Sequence, residues 1–358
     1  MKIGGGGLSS SELEKRVDLV FQGGGVKGIG LVGGFAVLEE QGYQHQNLAG
    51  TSAGAIIATL IGAGYTAKEL HDVIGELKFK ELLDEAWEDQ IPGLGRPLSI
   101  IKDQGIYEGN ALLELMRDLL SAKGKRRFGD LVIPEFADQP RYRYKVQVIA
   151  SDVTARSLLV LPQDAPKIGI EDPDDLEVAL AVRMSMSIPV FFEPVLQQTS
   201  DGEHVIVDGG MLSNFPVWLF DSEGIPEWPT FGLKLVDPEP RAPVVSAASV
   251  EPKSGPVKKT LRYLMGLVST MTDAHDKLYL EKSDFARTIT ISNLGVRTTE
   301  FDLSPERAEK LYTEGRRAAE RFLESWDFDA YIKLFRERKE TPRRQEVEAE
   351  LKGPSTTA

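Results

Sequence analysis

Apolar and polar positions change period several times along the chain. Val17–Phe21 is a short apolar run that enters the glycine loop Gly23-Gly-Gly-Val-Lys-Gly28. Gly28 to Gln41 then carries Ile29, Leu31, Val32, Phe35, Val37 and Leu38 with the density of a buried helix. A second apolar segment, Leu48-Ala-Gly50, ends in Gly50-Thr-Ser52-Ala-Gly54, and Ala55-Ile-Ile-Ala-Thr-Leu-Ile continues as a helix to about Gly62. Strand, glycine loop, helix, strand, serine turn and helix make a βαβα unit. It sets one hydroxyl and a group of free backbone N–H donors at the ends of neighbouring parallel strands.

Further elements follow the same reading. Thr66 with Glu69 forms a capping box ahead of Leu70, Val73, Ile74 and Leu77 at helical spacing. Asn110 opens a helix with Leu112, Leu113, Leu115, Met116, Leu119 and Leu120 on a broad apolar face. Tyr142, Tyr144, Val146, Val148 and Ala150 alternate with Arg141, Arg143, Lys145 and Gln147, which predicts a strand with one polar face near the sheet edge. Ser157–Leu161 is expected to pair back on it. Asp172-Pro173 caps a predicted helix over Leu176–Met184. His204–Asp208, Phe231–Val236 and Arg287–Ser292 read as strands, and Ser304-Pro305-Glu306 starts a last long helix to about Glu324.

The chain has neither repeats nor an evident linker, so a single domain over 17–335 is expected. A loose leader precedes it at 1–16 and a charged, disordered tail follows at 336–358. Residues 87–105 and 237–279 are expected cover elements over the site. Val257–Tyr279 combines an apolar face with Lys258, Lys259 and Arg262; it suits either a membrane interface or the core.

Composition narrows the chemistry. A chain of 358 residues with 41% hydrophobic content can bury a large core. It has no cysteine, which removes thiolate nucleophiles and disulfides, and its four histidines are scattered, so no metal site is expected. No cofactor is expected either. A net charge of −13 disfavours nucleic acid as a partner. No apolar run approaches membrane-spanning length, and the N-terminus lacks a secretory pattern. A cytoplasmic location, or a peripheral one at a membrane, is expected, with signal-independent export left open.

Gly23-x-Gly25-x-x-Gly28 fits the dinucleotide fingerprint, but no acidic residue ends the second strand, and Lys27 is not followed by Ser or Thr as a phosphate loop requires. Converging N–H groups ahead of a helix suit an oxyanion better, because acyl transfer develops negative charge on the carbonyl oxygen. Gly50, Ala53 and Gly54 give Ser52 the small neighbours that a sharp strand-to-helix turn demands. No histidine is placed to serve it. His204 and Asp208 are roughly 13 Å apart along one regular strand, and His275 lies among polar residues. The remaining proton acceptors are Asp208, at the end of an apolar strand before Gly209-Gly210, and Asp152 as its rival.

Gly23–Gly28, Gly50-Thr-Ser-Ala-Gly54 and Asp208-Gly-Gly210, in this order, closely resemble the patatin-like phospholipases, acyl hydrolases related to cytosolic phospholipase A2. Met186–Val195 and Asn214-Phe-Pro216 resemble further family segments. The resemblance spans about Val17 to Val236 and implies a three-layer α/β/α sandwich with a mostly parallel sheet and a nucleophile elbow. It implies Ser52 as nucleophile and Asp208 as base, with Asp152 outside the dyad. The oxyanion hole would be Gly24, Gly25 and Val26, with Lys27 adding charge where the family more often has arginine. The implied substrate is a phospholipid or other acyl lipid, cleaved through an acyl-enzyme. Neutral glycerides or small esters on the same dyad, and a non-catalytic binding module, are the alternatives.

Overall fold

Strand β1, Arg16–Phe21, has all six residues buried. A strand apolar on both faces belongs inside a sheet covered on both sides. The computed structural model describes residues 15–76, 109–222, 224–238, 281–296, 300, 303–337 and 347, and places β1 near the middle of an eight-stranded sheet. Its neighbours are β2 (Gln44–Thr51) and β7 (Thr230–Val236), both parallel to it. β3 (Val146–Asp152) lies parallel to β2, and β8 (Thr288–Ser292) parallel to β7. The antiparallel part consists of β4 (Ser157–Leu161) on β3, β6 (Gly202–Asp208) on β3, and β5 (Val195–Thr199) on β6.

Successive strand residues face opposite layers. Leu19, Val148 and Ala150 join the larger core, under helices α1 (Ile29–Glu40), α2 (Ala53–Ala63), α5 (Val178–Ser185) and α7 (Pro305–Ser325). Val20 and Ile149 point the other way, onto Phe215 and the turn Val217–Phe220. The architecture is a three-layer α/β/α sandwich with a mixed, mostly parallel sheet. Helices α3 (Ala67–Glu76), α4 (Asn110–Ala122), α6 (Lys282–Ala286) and α8 (Phe328–Phe335) complete the described set.

Local signals held where local chemistry decides. The Thr66–Glu69 box forms, with Thr66 N–H donating to Glu69 Oε2 at 2.8 Å and Glu69 N–H to Thr66 Oγ1 at 3.2 Å. Ser304 Oγ accepts from Arg307 N–H at the start of α7. Two expectations are corrected. β3 is an interior strand, buried along its whole length and paired on both edges; the polar alternation of 141–145 precedes it. Asp172 caps only the short turn Pro173–Asp175, and α5 starts later, at Val178. Leu176 and Glu177 between them are extended, because Leu176 C=O accepts from Phe128 N–H and Val178 N–H donates to Arg126 C=O.

The expected cover segment 87–105 lies outside the described residues, as does 237–279 beyond residues 237 and 238. Of the expected leader, residues 15 and 16 are described, and Arg16 already belongs to β1. Of the expected tail, 336, 337 and 347 are described, and Val347 is buried in the second core cluster. No helix among the described residues is long and apolar enough to cross a membrane.

Candidate active site

The serine turn forms because two glycines let three backbone segments touch. A side chain on Gly50 would meet the Gly54 carbonyl oxygen at 2.2 Å, and one on Gly54 would meet the Phe21 carbonyl oxygen at 2.3 Å. The end of β2, the start of α2 and the end of β1 are therefore in backbone contact. Ser52 between them has φ 55° and ψ −129°, a conformation that L-residues rarely adopt. It is almost fully buried, and its hydroxyl donates to Met186 Sδ at 3.4 Å.

Sheet register brings Asp208 to this point. β4 occupies one edge of β3 over residues 148–152. On the opposite edge β2 pairs up to Thr51–Ile149, and there β6 arrives antiparallel, ending with Asp208 opposite Ala150. Two strand ends thus meet head-on along one edge of β3, bringing the residue after β2, Ser52, and the last residue of β6, Asp208, to the same place.

Asp208 is buried, with Oδ1 accepting Gly210 N–H at 2.7 Å and Oδ2 without a hydrogen-bond partner. Burial pushes its carboxyl up from 3.8 to about 7, opposed by the Gly210 N–H and by the Ser52 hydroxyl beside it. The Ser52 hydroxyl thus acts on Asp208 by proximity while its hydrogen bond goes to Met186. That pKa suits a group taking and returning a proton near neutrality.

The glycine loop stands over the same spot. A side chain on Gly23 would lie 3.1 Å from Ser52 Cβ and 2.1 Å from Asn214 Oδ1. Gly25–Gly28 form a single tight turn, and Lys27 N–H is spent on the Gly24 carbonyl at 3.3 Å. The N–H groups of Gly24, Gly25 and Val26 have no acceptor among the described residues. Of the four residues expected at the oxyanion, three therefore offer backbone donors. Lys27 folds its side chain back so that Cε is 3.9 Å from where a Gly24 side chain would start.

Gly28 packs near Ile57 and Ala53, and a side chain on Gly209 would strike the Ile149 carbonyl oxygen at 2.3 Å; both are packing positions. A side chain on Gly210 would stand 3.0 Å from Asp208 Oδ1. Asp152 and His204 partner each other rather than Ser52 or Asp208. Asp152 Oδ2 meets His204 Nδ1 at 2.5 Å, and its Oδ1 accepts Ala155 N–H at 2.9 Å. The hydrogen bond to Asp152 raises the His204 pKa above its ordinary value.

Sequence reasoning gave no role to three site residues. Asn214 clamps the glycine loop, accepting Gly23 N–H at its own carbonyl and donating Nδ2–H to Gly23 C=O at 3.2 Å. Ser185 and Met186 hold Ser52 from the end of α5. Met186 and Asn214 fall in segments that resemble the family, but their contacts with Ser52 and Gly23 are not legible locally, since the partners are distant in the chain.

The family profile described as patatin-like phospholipase matches residues 19–221. The protein YqhO of Bacillus subtilis (strain 168) is 38% identical over 312 residues, covering 87% of this chain and 99% of its own length. Among solved structures, VipD from Legionella pneumophila superposes with a TM-score of 0.51 at 19% identity, over 87% of this chain and 67% of that one.

Proposed function

This chain belongs to the patatin-like phospholipase family of lipid-ester hydrolases, and we propose that it cleaves fatty acyl esters of phospholipids and lysophospholipids with Ser52 and Asp208 as a dyad. The observation that carries the reading is the meeting of β2 and β6 on one edge of β3. It sets the Ser52 hydroxyl beside a buried carboxyl that has one oxygen unpartnered.

The steps balance with this chain's own groups. The Ser52 hydroxyl turns from Met186 Sδ to Asp208 Oδ2, and its oxygen attacks the acyl carbonyl as the proton passes to Asp208. Gly24, Gly25 and Val26 N–H groups receive the oxyanion; one such donor is worth about 3–4 kcal/mol. Asp208 returns the proton to the departing alcohol or lysolipid oxygen, leaving the acyl group on Ser52. Water then attacks the acyl carbon, Asp208 takes its proton, and Ser52 recovers a hydrogen as fatty acid leaves. Substrate is reached by peripheral contact with a lipid surface.

A panel of phospholipids, lysophospholipids, glycerides and short esters, read by mass spectrometry, tests the proposal beside Ser52→Ala. Fatty acid released from phospholipid by the wild type and not by Ser52→Ala is expected. Full activity in Ser52→Ala would overturn the dyad; release from glycerides alone would overturn the substrate class.

A further inference from the structure

The two members of the proposed dyad come from strands β2 and β6, yet one stretch of backbone holds both. Ser185 closes helix α5, and Ser187 follows two residues later. Ser185 Oγ accepts the backbone N–H of Ser52 at 2.9 Å. Ser187 C=O accepts the backbone N–H of Asp208 at 2.9 Å. Both serines are fully buried.

The stretch is itself braced. Arg183 Nη1 donates to Ser187 Oγ at 2.6 Å, Ser187 Oγ donates to Arg183 C=O at 3.0 Å, and Arg183 Nη2 donates to Glu193 C=O at 2.8 Å. Arg183 is buried too, with its guanidinium filling the space beside Gly109. The chain that follows α5 is thereby pinned before it can swing.

Ser52 needs such an external hold. Ser52 lies past the last β2–β3 pair, Thr51–Ile149, and caps α2, where a backbone N–H has no intrahelical acceptor, so its N–H goes to the Ser185 hydroxyl instead. A free peptide at that point would relax toward a commoner conformation and carry Oγ with it. Misplacing a reacting atom by about 1 Å costs roughly a hundredfold in rate.

Resting on the dyad reading above, we propose that Ser185 is a positioning residue for acyl transfer. Its hydroxyl fixes the Ser52 peptide, while Ser187 fixes Asp208 to the same turn. The separation of nucleophile and base is then set by two residues of one segment, with Arg183 as the brace.

The test compares Ser185→Ala, Ser185→Cys and Ser52→Ala with the wild type in the full chain. Each is assayed on a dispersed lysophospholipid, titrated with a fluorophosphonate that labels Ser52, and followed by thermal unfolding. Ser185→Ala is expected to lose roughly ten- to a hundredfold in kcat at nearly unchanged KM, because a positioning contact acts on the reacting geometry. The labelling rate should fall in parallel. The pH at which activity is half-maximal should rise, as the Ser52 hydroxyl no longer sits where it favours ionised Asp208. Ser185→Cys, with a weaker acceptor of similar size, should fall between the two.

Wild-type kcat, labelling rate and pH midpoint in Ser185→Ala would overturn the inference, as would losses in both Ser185 variants no larger than the loss of folded protein. Activity surviving in Ser52→Ala would instead refute the dyad itself, so the two failures are distinguishable.

Discussion

Ser52 and Asp208 are brought together by two strand ends that meet on one edge of β3, where Thr51 stands opposite Ile149 and Asp208 opposite Ala150. Among the described residues, no histidine hydrogen-bonds to either side chain. In the proposed dyad, the base that would receive the serine proton is a carboxyl whose pKa is raised by burial.

The pH dependence follows from that burial. The ionised carboxylate is the form that accepts a proton, so kcat/KM should climb with pH through about 7 and level off above it. Asp208→Asn should be inactive throughout. A pH–rate profile with its midpoint near the ordinary carboxylate range would contradict the assignment.

The same shift has a consequence for stability. The folded carboxyl holds its proton up to about 7 whereas the unfolded one loses it near 3.8, so between those values the folded state binds more protons. Stability therefore falls as pH rises from about 4 to about 7, by at most about 4 kcal/mol from this group. Asp208→Asn lacks that loss. Its advantage over the wild type in urea unfolding should be near zero at pH 4 and largest above pH 7. Asp18, also pushed up to about 7 by burial, is common to both proteins and cancels in the difference.

Ser52 carries backbone strain of roughly 1–3 kcal/mol. Ser52→Gly should relieve part of it and raise the unfolding free energy by about 1 kcal/mol, net of the entropy glycine adds to the unfolded chain. Ser52→Ala keeps the strain and should match the wild type in stability. Both should lose turnover, so calorimetry with activity assays separates strain from chemistry.

Gly23 admits no side chain without displacing Asn214 Oδ1 and crowding Ser52 Cβ. Gly23→Ala should shift the loop and its N–H donors, lowering kcat by roughly a hundredfold or more with a smaller change in KM. Steady-state kinetics on one ester decides it; an unchanged kcat would place the oxyanion elsewhere.

His204 is expected to matter for folding and not for turnover. Its pKa is raised by Asp152, so the pair's stabilisation is complete below the ordinary histidine value of 6.5 and is lost as pH rises through the higher folded value. His204→Ala should destabilise the protein more at pH 6 than at pH 9, while folded molecules keep their kcat. Loss of turnover at full folding would make His204 part of the chemistry.

The capping box at Thr66, the cap at Ser304 and the small residues around Ser52 were all legible in the sequence, because each depends on atoms within a few residues. The position of β3 was not. Its leading residues alternate as an edge strand would, and only pairing with β2, β4 and β6 makes it interior. Asp152 and His204 met the same limit: they lie 52 residues apart in the chain, and antiparallel register alone puts them 2.5 Å from each other.

The sequence by itself determined the opening βαβα unit, the serine turn and the glycine loop, since steric permission for a sharp turn or converging N–H groups is written residue by residue. Tertiary structure alone decided that β6 would stop opposite Ala150, that Asp208 would lose its water and rise to about 7, and that Ser185 would reach the Ser52 N–H. Desolvation and register are sums over segments far apart in the chain, and those sums exist only once the sheet has closed.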